Sequence, residues 1–235
     1  MKQIQTDIAV VGLGPAGLAA AVQAAEAGMK VAAFEKGKTP GGAANMGAGL
    51  FAVESSIQKK YLIDLTKEEA FELFMDYTHW NSNARLVRDY FWKSADTIEW
   101  LMDMGVEFEQ AGKFYSGSLP TWHKVKPDSG PSGPKSASKM TLKMTERARE
   151  LGVDIYLETP VREIHKKDGA VSGITAVDSS GEEIHVESKA VIIATGGFGD
   201  NPEMIREFTG FTYGKDMFNF RIPGVVGDGL KMAWK

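Results

Sequence analysis

Six residues near the start of the chain, Gly12-Leu13-Gly14-Pro15-Ala16-Gly17, and one acid further on, Glu35, have the types and spacing to hold a dinucleotide. Glycine at 12 permits a tight strand-to-helix turn, glycine at 14 leaves room for a pyrophosphate against the backbone, and glycine at 17 lets the helix lie close on a sheet. The N–H groups and positive dipole end of that helix then face the phosphates. Pro15 suits the first helical turn, where its missing N–H costs nothing. Glu35 stands near the distance at which a carboxylate accepts hydrogen bonds from an adenosine ribose. A GxGxxG pattern alone is weak evidence. Here an apolar run (Ile8 to Val11) precedes it and a small-residue helix stopping at Gly28 follows. A second apolar run, Val31 to Phe34, ends on the acid, and the combination is strong.

Bulk composition narrows the classes. The 235 residues suffice for one large α/β domain, or for one with a small appendage. With 43% hydrophobic and 25% charged residues the chain reads as globular. A net charge of −4 and a pI near 5.7 argue against nucleic acid as a partner. The absence of cysteine excludes disulfides, thiolate metal sites and dithiol redox chemistry. His79, His123, His165 and His185 form no close-spaced ligand motif, so no metal is expected. No apolar run is long enough to span a membrane, and the first strand starts too early to leave space for a signal peptide. A cytoplasmic location without membrane attachment is the expectation.

The elements that must position the motif follow in order. After Glu35 the chain runs Lys36 to Gly49 through Gly41, Gly42, Ala43, Ala44, Asn45, Gly47 and Ala48. Glycine and alanine at this density exclude a packed helix or regular strand. A flexible linker would favour serine and charge, so the loop suits close approach of backbone to something flat and bulky. That favours FAD over NAD. Thr66-Lys67-Glu68-Glu69 is a capping box opening one helix, and a second runs from about Ala84 to Met104 and closes at Gly105. Trp80, Tyr90, Phe91, Trp92 and Trp100 read as helix-packing residues. Val106 to Phe108 reads as a short strand, and Gly112 to Pro134 as a long loop. His123, in the middle of that loop, is the one catalytic candidate, against an equal case for a surface histidine. The whole of 1–235 is read as one domain carrying a long helical and loop insertion at about 55–135.

A helix from about Ser136 to Glu150 leads to a strand at Val153 to Leu157, the pattern of a crossover back to a parallel sheet. Three strands follow, Val161 to His165, Ala170 to Val177 and Glu183 to Glu187, joined by hairpin-type turns. They form a β-meander packed on the parallel sheet, with His165 and His185 facing solvent. Ala190 to Ala194 is a further buried parallel strand, breaking at Thr195-Gly196-Gly197, where open α/β sheets place ligands. Asp228 reads as the N-cap of a last helix that stops after about two turns with no closing signal.

Four motifs in order, GLGPAG with Glu35, GGAANMGAG, ATGGFG and the final GDG, resemble those of the FAD-binding flavoprotein family of fumarate reductase, succinate dehydrogenase and flavocytochrome c. The resemblance covers nearly the whole chain. It implies a glutathione-reductase-like FAD domain, a Rossmann-like parallel sheet with a β-meander. It implies pyrophosphate contacts from Gly12, Gly14, Ala16 and Gly17, with Glu35 on the adenosine ribose and with Pro15 and Lys36 among the cofactor-binding residues. The segment Gly42, Ala43, Ala44, Asn45, Gly47, Ala48 and Gly49 would run along the ribityl chain and flavin ring. Val161 would contact adenine, Ala194, Thr195 and Gly196 would pass near the dinucleotide, and Asp228 would bind the flavin end. Where membrane-bound members carry a flavin-linking histidine, this chain has Ala43, which implies non-covalent FAD. Ala44 replaces the usual Thr or Ser near flavin N5. In the family a capping domain and a returning segment follow the GDG helix and supply the substrate-binding His and Arg residues. This sequence ends before them, so the expectation is an FAD-domain portion lacking the cap. A second chain completing the fold, or self-association, is the expected compensation. The implied chemistry is hydride transfer between flavin N5 and an activated C–C bond of a small enoate-type substrate, with a separate electron donor or acceptor. The rival readings are a non-catalytic FAD or nucleotide-binding module and an NAD-dependent dehydrogenase. The latter is disfavoured by the Gly/Ala loop and the ATGG strand.

Overall fold

The computed structural model describes residues 2–218, 220 and 222–235. In chain order the elements are β1 (Lys2–Val11), α1 (Pro15–Glu26), β2 (Val31–Phe34), a 3-10 turn (Gly42–Met46), β3 (Gly49–Phe51) and α2 (Ser56–Lys60). Then come α3 (Lys67–Tyr77), α4 (Ala84–Asp103), β4 (Trp122–Lys124), α5 (Ser138–Glu150) and β5 (Asp154–Tyr156). The chain finishes with β6 (Val161–Lys167), β7 (Ala170–Val177), β8 (Glu183–Ile193), α6 (Pro202–Thr209) and α7 (Asp228–Ala233). It divides into two compact units, Met1–Ala43 with Met144–Lys235, and Ala44–Lys143. The insertion read at about 55–135 falls inside the second.

The first unit is built on a six-stranded sheet in the order β5-β2-β1-β8-β7-β6. β5, β2, β1 and β8 are parallel, and β7 and β6 add antiparallel. β2 is buried along its whole length, as expected of a strand covered on both faces. α1 packs on β1, β2 and β8 through Leu18, Ala21 and Val22. Ala9, Val11, Ala32 and Phe34 share one core cluster with Ile174 and Ala176 of β7 and Ile184 and Val186 of β8.

The meander and the buried strand expected at 190–194 are not separate. β8 runs unbroken from Glu183 to Ile193, and β1 pairs with it from Lys2↔Ile184 to Val11↔Ile193. The joint, Ser188-Lys189, contains neither Gly nor Pro, so nothing stops the strand. β1 is correspondingly longer than its apolar stretch.

The second unit carries the helices. The Thr66 capping box is formed: Glu69 N–H donates to Thr66 Oγ1 at 3.1 Å and Thr66 N–H to Glu69 Oε2 at 2.9 Å. Val53, Leu65, Ala70 and Phe91 make its main core, with Phe51, Phe71 and Trp92 packed against it. Among the aromatics read as packing residues, Phe91 is buried, whereas Trp80 and Tyr90 are more than half exposed, at 59% and 53%. Two other readings are corrected here. Val106 to Phe108 makes no strand, only a single bridge from Phe108 to Val125. The long loop contains β4, which pairs antiparallel with β3.

Candidate functional site

At the carboxyl end of β1 the backbone turns at Gly12, whose φ is +93°. A Cβ there would lie 2.7 Å from the Ala194 carbonyl oxygen, so only glycine fits. Gly17 is as constrained, since a Cβ would come within 1.9 Å of the Gly12 carbonyl oxygen. Gly14 differs: a Cβ built on it meets nothing within 4 Å. Gly14 is also the N-cap of α1, with no side-chain cap among the described residues and Pro15 at the first helical position. The N–H groups of the first turn, Ala16 and Gly17 among them, therefore lack the partner a Ser or Asp would give. Two tightly packed glycines flanking an open one, at an uncapped helix start, make a cradle of the kind a pyrophosphate fills.

Glu35 sits at the tip of β2 and holds this cradle. Leu13 N–H donates to its Oε2 at 2.8 Å and Gly37 N–H to its Oε1 at 2.7 Å. Each oxygen keeps a lone pair for a further donor such as a ribose hydroxyl. The approach to β6 is tied to the same place, because Thr159 N–H donates to the Glu35 carbonyl at 2.9 Å. Val161, two residues on, opens β6. Gly41 N–H donates to the Leu13 carbonyl at 2.7 Å, which brings Gly42 and Ala43 to the cradle's rim.

The end of β8 supplies the third side. Ala194 N–H donates to Val11 O at 2.8 Å, and Thr195 Oγ1 accepts from Gly229 N–H at 3.1 Å. Thr195 thus fixes the start of α7. The N-cap of α7 is Gly227, with φ +83°, rather than Asp228, which is its first residue. A glycine in the left-handed region ends the preceding loop there and leaves the acid's side chain free for Lys36, with which it forms an ion pair. The unit thus brings Gly12, Gly14, Pro15, Ala16, Gly17, Glu35, Lys36, Gly42, Ala43, Ala194, Thr195, Gly196 and Asp228 to the carboxyl ends of β1, β2 and β8, with Val161 beside them.

The rest of the Gly/Ala segment belongs to the second unit and is more ordered than its composition suggested. Residues 42–46 wind into the 3-10 turn, Gly47 N–H donates to Ala44 O at 2.9 Å, and Thr141 Oγ1 donates to Asn45 Oδ1 at 2.7 Å. Val125 N–H donates to Ala48 O at 2.9 Å. Gly49 starts β3, where a Cβ would fall 2.1 Å from the His123 carbonyl oxygen. Small residues here permit close strand pairing.

His123 is neither on the surface nor in an open loop. It is fully buried. Its Nδ1 donates to the Thr121 carbonyl at 3.1 Å, which fixes the tautomer and makes Nε2 the acceptor of the Ser55 hydroxyl at 2.7 Å. Ser55 Oγ in turn caps α2, accepting from Gln58 N–H at 3.1 Å. These are the atoms of a Ser–His dyad, but both side chains are closed to solvent and the serine oxygen already caps a helix. As placed, the pair ties β4 to the start of α2. Burial pushes the His123 pKa below its usual 6.5, partly opposed by the Thr121 carbonyl and the Glu99 charge. Sequence reading missed the Ser55 capping box, whose signal was Ser55 with Gln58. Among the described residues no group of three or more His, Asp or Glu is placed to hold a metal, and no helix is long and apolar enough to cross a membrane.

A parallel sheet with an uncapped glycine turn at its first strand and an acid at its second defines a dinucleotide-binding α/β fold. The sequence matches the FAD binding domain family over residues 7–235. The chain belongs to that family, the FAD-binding flavoproteins of fumarate reductase and its relatives. It is 35% identical to the vinyl phenol reductase of Lactiplantibacillus plantarum, covering 100% of this chain and 46% of that protein. It is 32% identical to the NADH:fumarate oxidoreductase of Klebsiella pneumoniae, covering 96% of this chain and 24% of that protein. The open conformation of a flavocytochrome c3 fumarate reductase superposes with a TM-score of 0.83 at 27% identity, over 98% of this chain and 40% of that one. The chain therefore spans less than half the length of these relatives.

Proposed function

We propose that this chain holds FAD without a covalent bond and serves an oxidoreductase acting on an activated C–C double bond of a small enoate-type substrate. The observation that carries the reading is the contrast among the glycines. Gly12 and Gly17 are closed by packing, while Gly14 faces open space at the uncapped start of α1. Bound there, FAD would supply hydride transfer at its N5. The residues of the chain bind and orient. Backbone N–H groups at Ala16 and Gly17 meet the pyrophosphate, the Glu35 carboxylate takes the ribose hydroxyls, and Asp228, held at the start of α7 and ion-paired with Lys36, turns to the cofactor. Ala43 offers no nucleophile for a flavin linkage, which supports non-covalent attachment. Ala44 offers no hydroxyl to hydrogen-bond near N5.

Purified chain incubated with FAD and desalted should be yellow, and acid precipitation should leave all the flavin in the supernatant. A colourless protein would sink the cofactor reading, and flavin in the pellet would sink the non-covalent one. Oxidation of a reduced viologen dye by fumarate or a cinnamate-type enoate, assayed with the FAD-loaded chain, tests the reaction class.

A further inference from the structure

In the second unit, α3, α4 and the link between them enclose a cavity of about 430 Å³ walled by three aromatic rings. Phe71 meets both tryptophans edge-on, Trp80 at 6.4 Å between centroids and Trp92 at 6.2 Å. Phe71 and Trp92 are anchored on the core of Val53, Leu65, Ala70 and Phe91. Trp80 is mostly exposed and is held by its own bond, its Nε1 donating to Asp76 Oδ1 at 3.1 Å. Its φ of +57° is strained for so large a side chain, so the ring's place is maintained at a cost.

The charge on this cavity is negative. Glu68, Glu72 and Asp76 line it at four-residue intervals along α3, a spacing at which like charges repel. Asp76 also sits in the last helical turn, whose dipole disfavours an anion. Arg88, the one base lining the cavity, does not neutralise them. Its guanidinium lies 4.3 Å from the centre of the Trp92 ring, and among the described residues none of these four charged groups forms an ion pair. The other charged residues of α3 and α4 include more acids than bases, and Lys67 is turned to Glu54 at 3.8 Å, so nothing nearby cancels the excess. Carboxylates alone would make an ordinary solvated helix face. Here three rings stand beside them, and one ring already holds a guanidinium, the cation that suits both rings and carboxylates.

We propose that this cavity binds a guanidinium-type cation from outside, stacked on the aromatic rings and hydrogen-bonded to the carboxylates of α3, with Arg88 as its internal competitor. The test is calorimetric titration of the chain at ionic strength fixed with NaCl, with methylguanidinium chloride in one arm and tetramethylammonium chloride in the other. Saturable binding of methylguanidinium is expected, tighter than that of tetramethylammonium, which can stack but has no N–H to donate to a carboxylate. A third arm with acetyl-arginine amide identifies the source. Binding tighter than that of methylguanidinium assigns the site to an arginine presented by a partner protein, and binding no tighter assigns it to a free guanidinium compound. E72Q should weaken binding about tenfold, the scale of one charge-assisted hydrogen bond. W80A should weaken it about fivefold, the scale of one cation–π contact. R88Q should strengthen it about fivefold, because the competing cation is gone. Glu72 and Arg88 are exposed, so their variants keep the test valid if W80A does not fold. No saturable heat with methylguanidinium, tetramethylammonium bound as tightly, or E72Q and R88Q variants that bind like the parent chain would overturn the site.

Discussion

Gly14 and Gly12 sit two residues apart and separate binding from folding. Because a Cβ on Gly14 touches no protein atom, and its φ of −66° suits any residue, Gly14→Ala should fold with a stability change within about 1 kcal/mol. The added methyl enters the space proposed for the pyrophosphate, so FAD retention after desalting should be lost. Gly12→Ala should do the reverse first, because it meets the Ala194 carbonyl and a φ of +93°, and urea denaturation should show a loss of about 1–3 kcal/mol. A Gly14→Ala protein that keeps its flavin would mean that the open space is not the phosphate cradle. The glycine pattern was legible because each glycine answers a local backbone demand. Glu35 was legible as an acid at a strand tip. Its two bonds to Leu13 and Gly37 were not, because they depend on how two turns meet in space. Glu35→Ala thus removes a structural tie as well as the proposed ribose contact. Glu35→Gln, which keeps an acceptor, is the cleaner probe.

At the scale of elements, β4 shows where periodicity runs out. Three residues inside a Gly/Pro/Ser-rich stretch carry too little pattern to mark a strand, and β4 exists because Gly49 lets β3 approach it. The amphipathic α3 and α4 and the meander hairpins were legible, since their signals repeat over many residues. The joining of β8 was not, because nothing in Ser188-Lys189 says whether a strand bends or continues. His123 ties β4 to the capping box of α2 and gives this region a pH dependence. The folded protein holds the ring neutral, with its pKa pushed below 6.5 by burial, whereas the unfolded chain titrates near the ordinary value. As pH falls below about 6.5 the unfolded state takes up a proton that the folded state declines, so stability falls. The decline ends once pH passes below the folded pKa. Urea denaturation between pH 7.5 and about 5 should show this slope, and His123→Gln should flatten it. An unchanged slope in the variant would place the titration elsewhere.

Each of the two units has buried clusters of its own among the described residues, and the largest of each share no member. One centres on Ala9, Val11, Phe34, Ile174 and Val186, and the other on Val53, Leu65, Ala70 and Phe91. Read as a single domain with an insertion, the chain would lose both together. Separate cores predict two calorimetric transitions. Phe91 is buried against Phe51, at 4.5 Å between ring centroids, and Phe74, at 5.7 Å. Phe91→Ala removes that packing, at about 3–5 kcal/mol for a phenylalanine in a core that collapses only partly. It should lower one transition alone, while Gly12→Ala lowers the other. FAD binds the folded cradle and not the unfolded chain, so at a hundred times its Kd it should stabilise the transition carrying Gly12 by about 2.7 kcal/mol. Its effect on the Phe91 transition should be smaller, since Phe91 and Gly12 belong to different units. One transition, moved alike by Phe91→Ala, Gly12→Ala and FAD, would show that the insertion and the dinucleotide fold unfold as a single cooperative body.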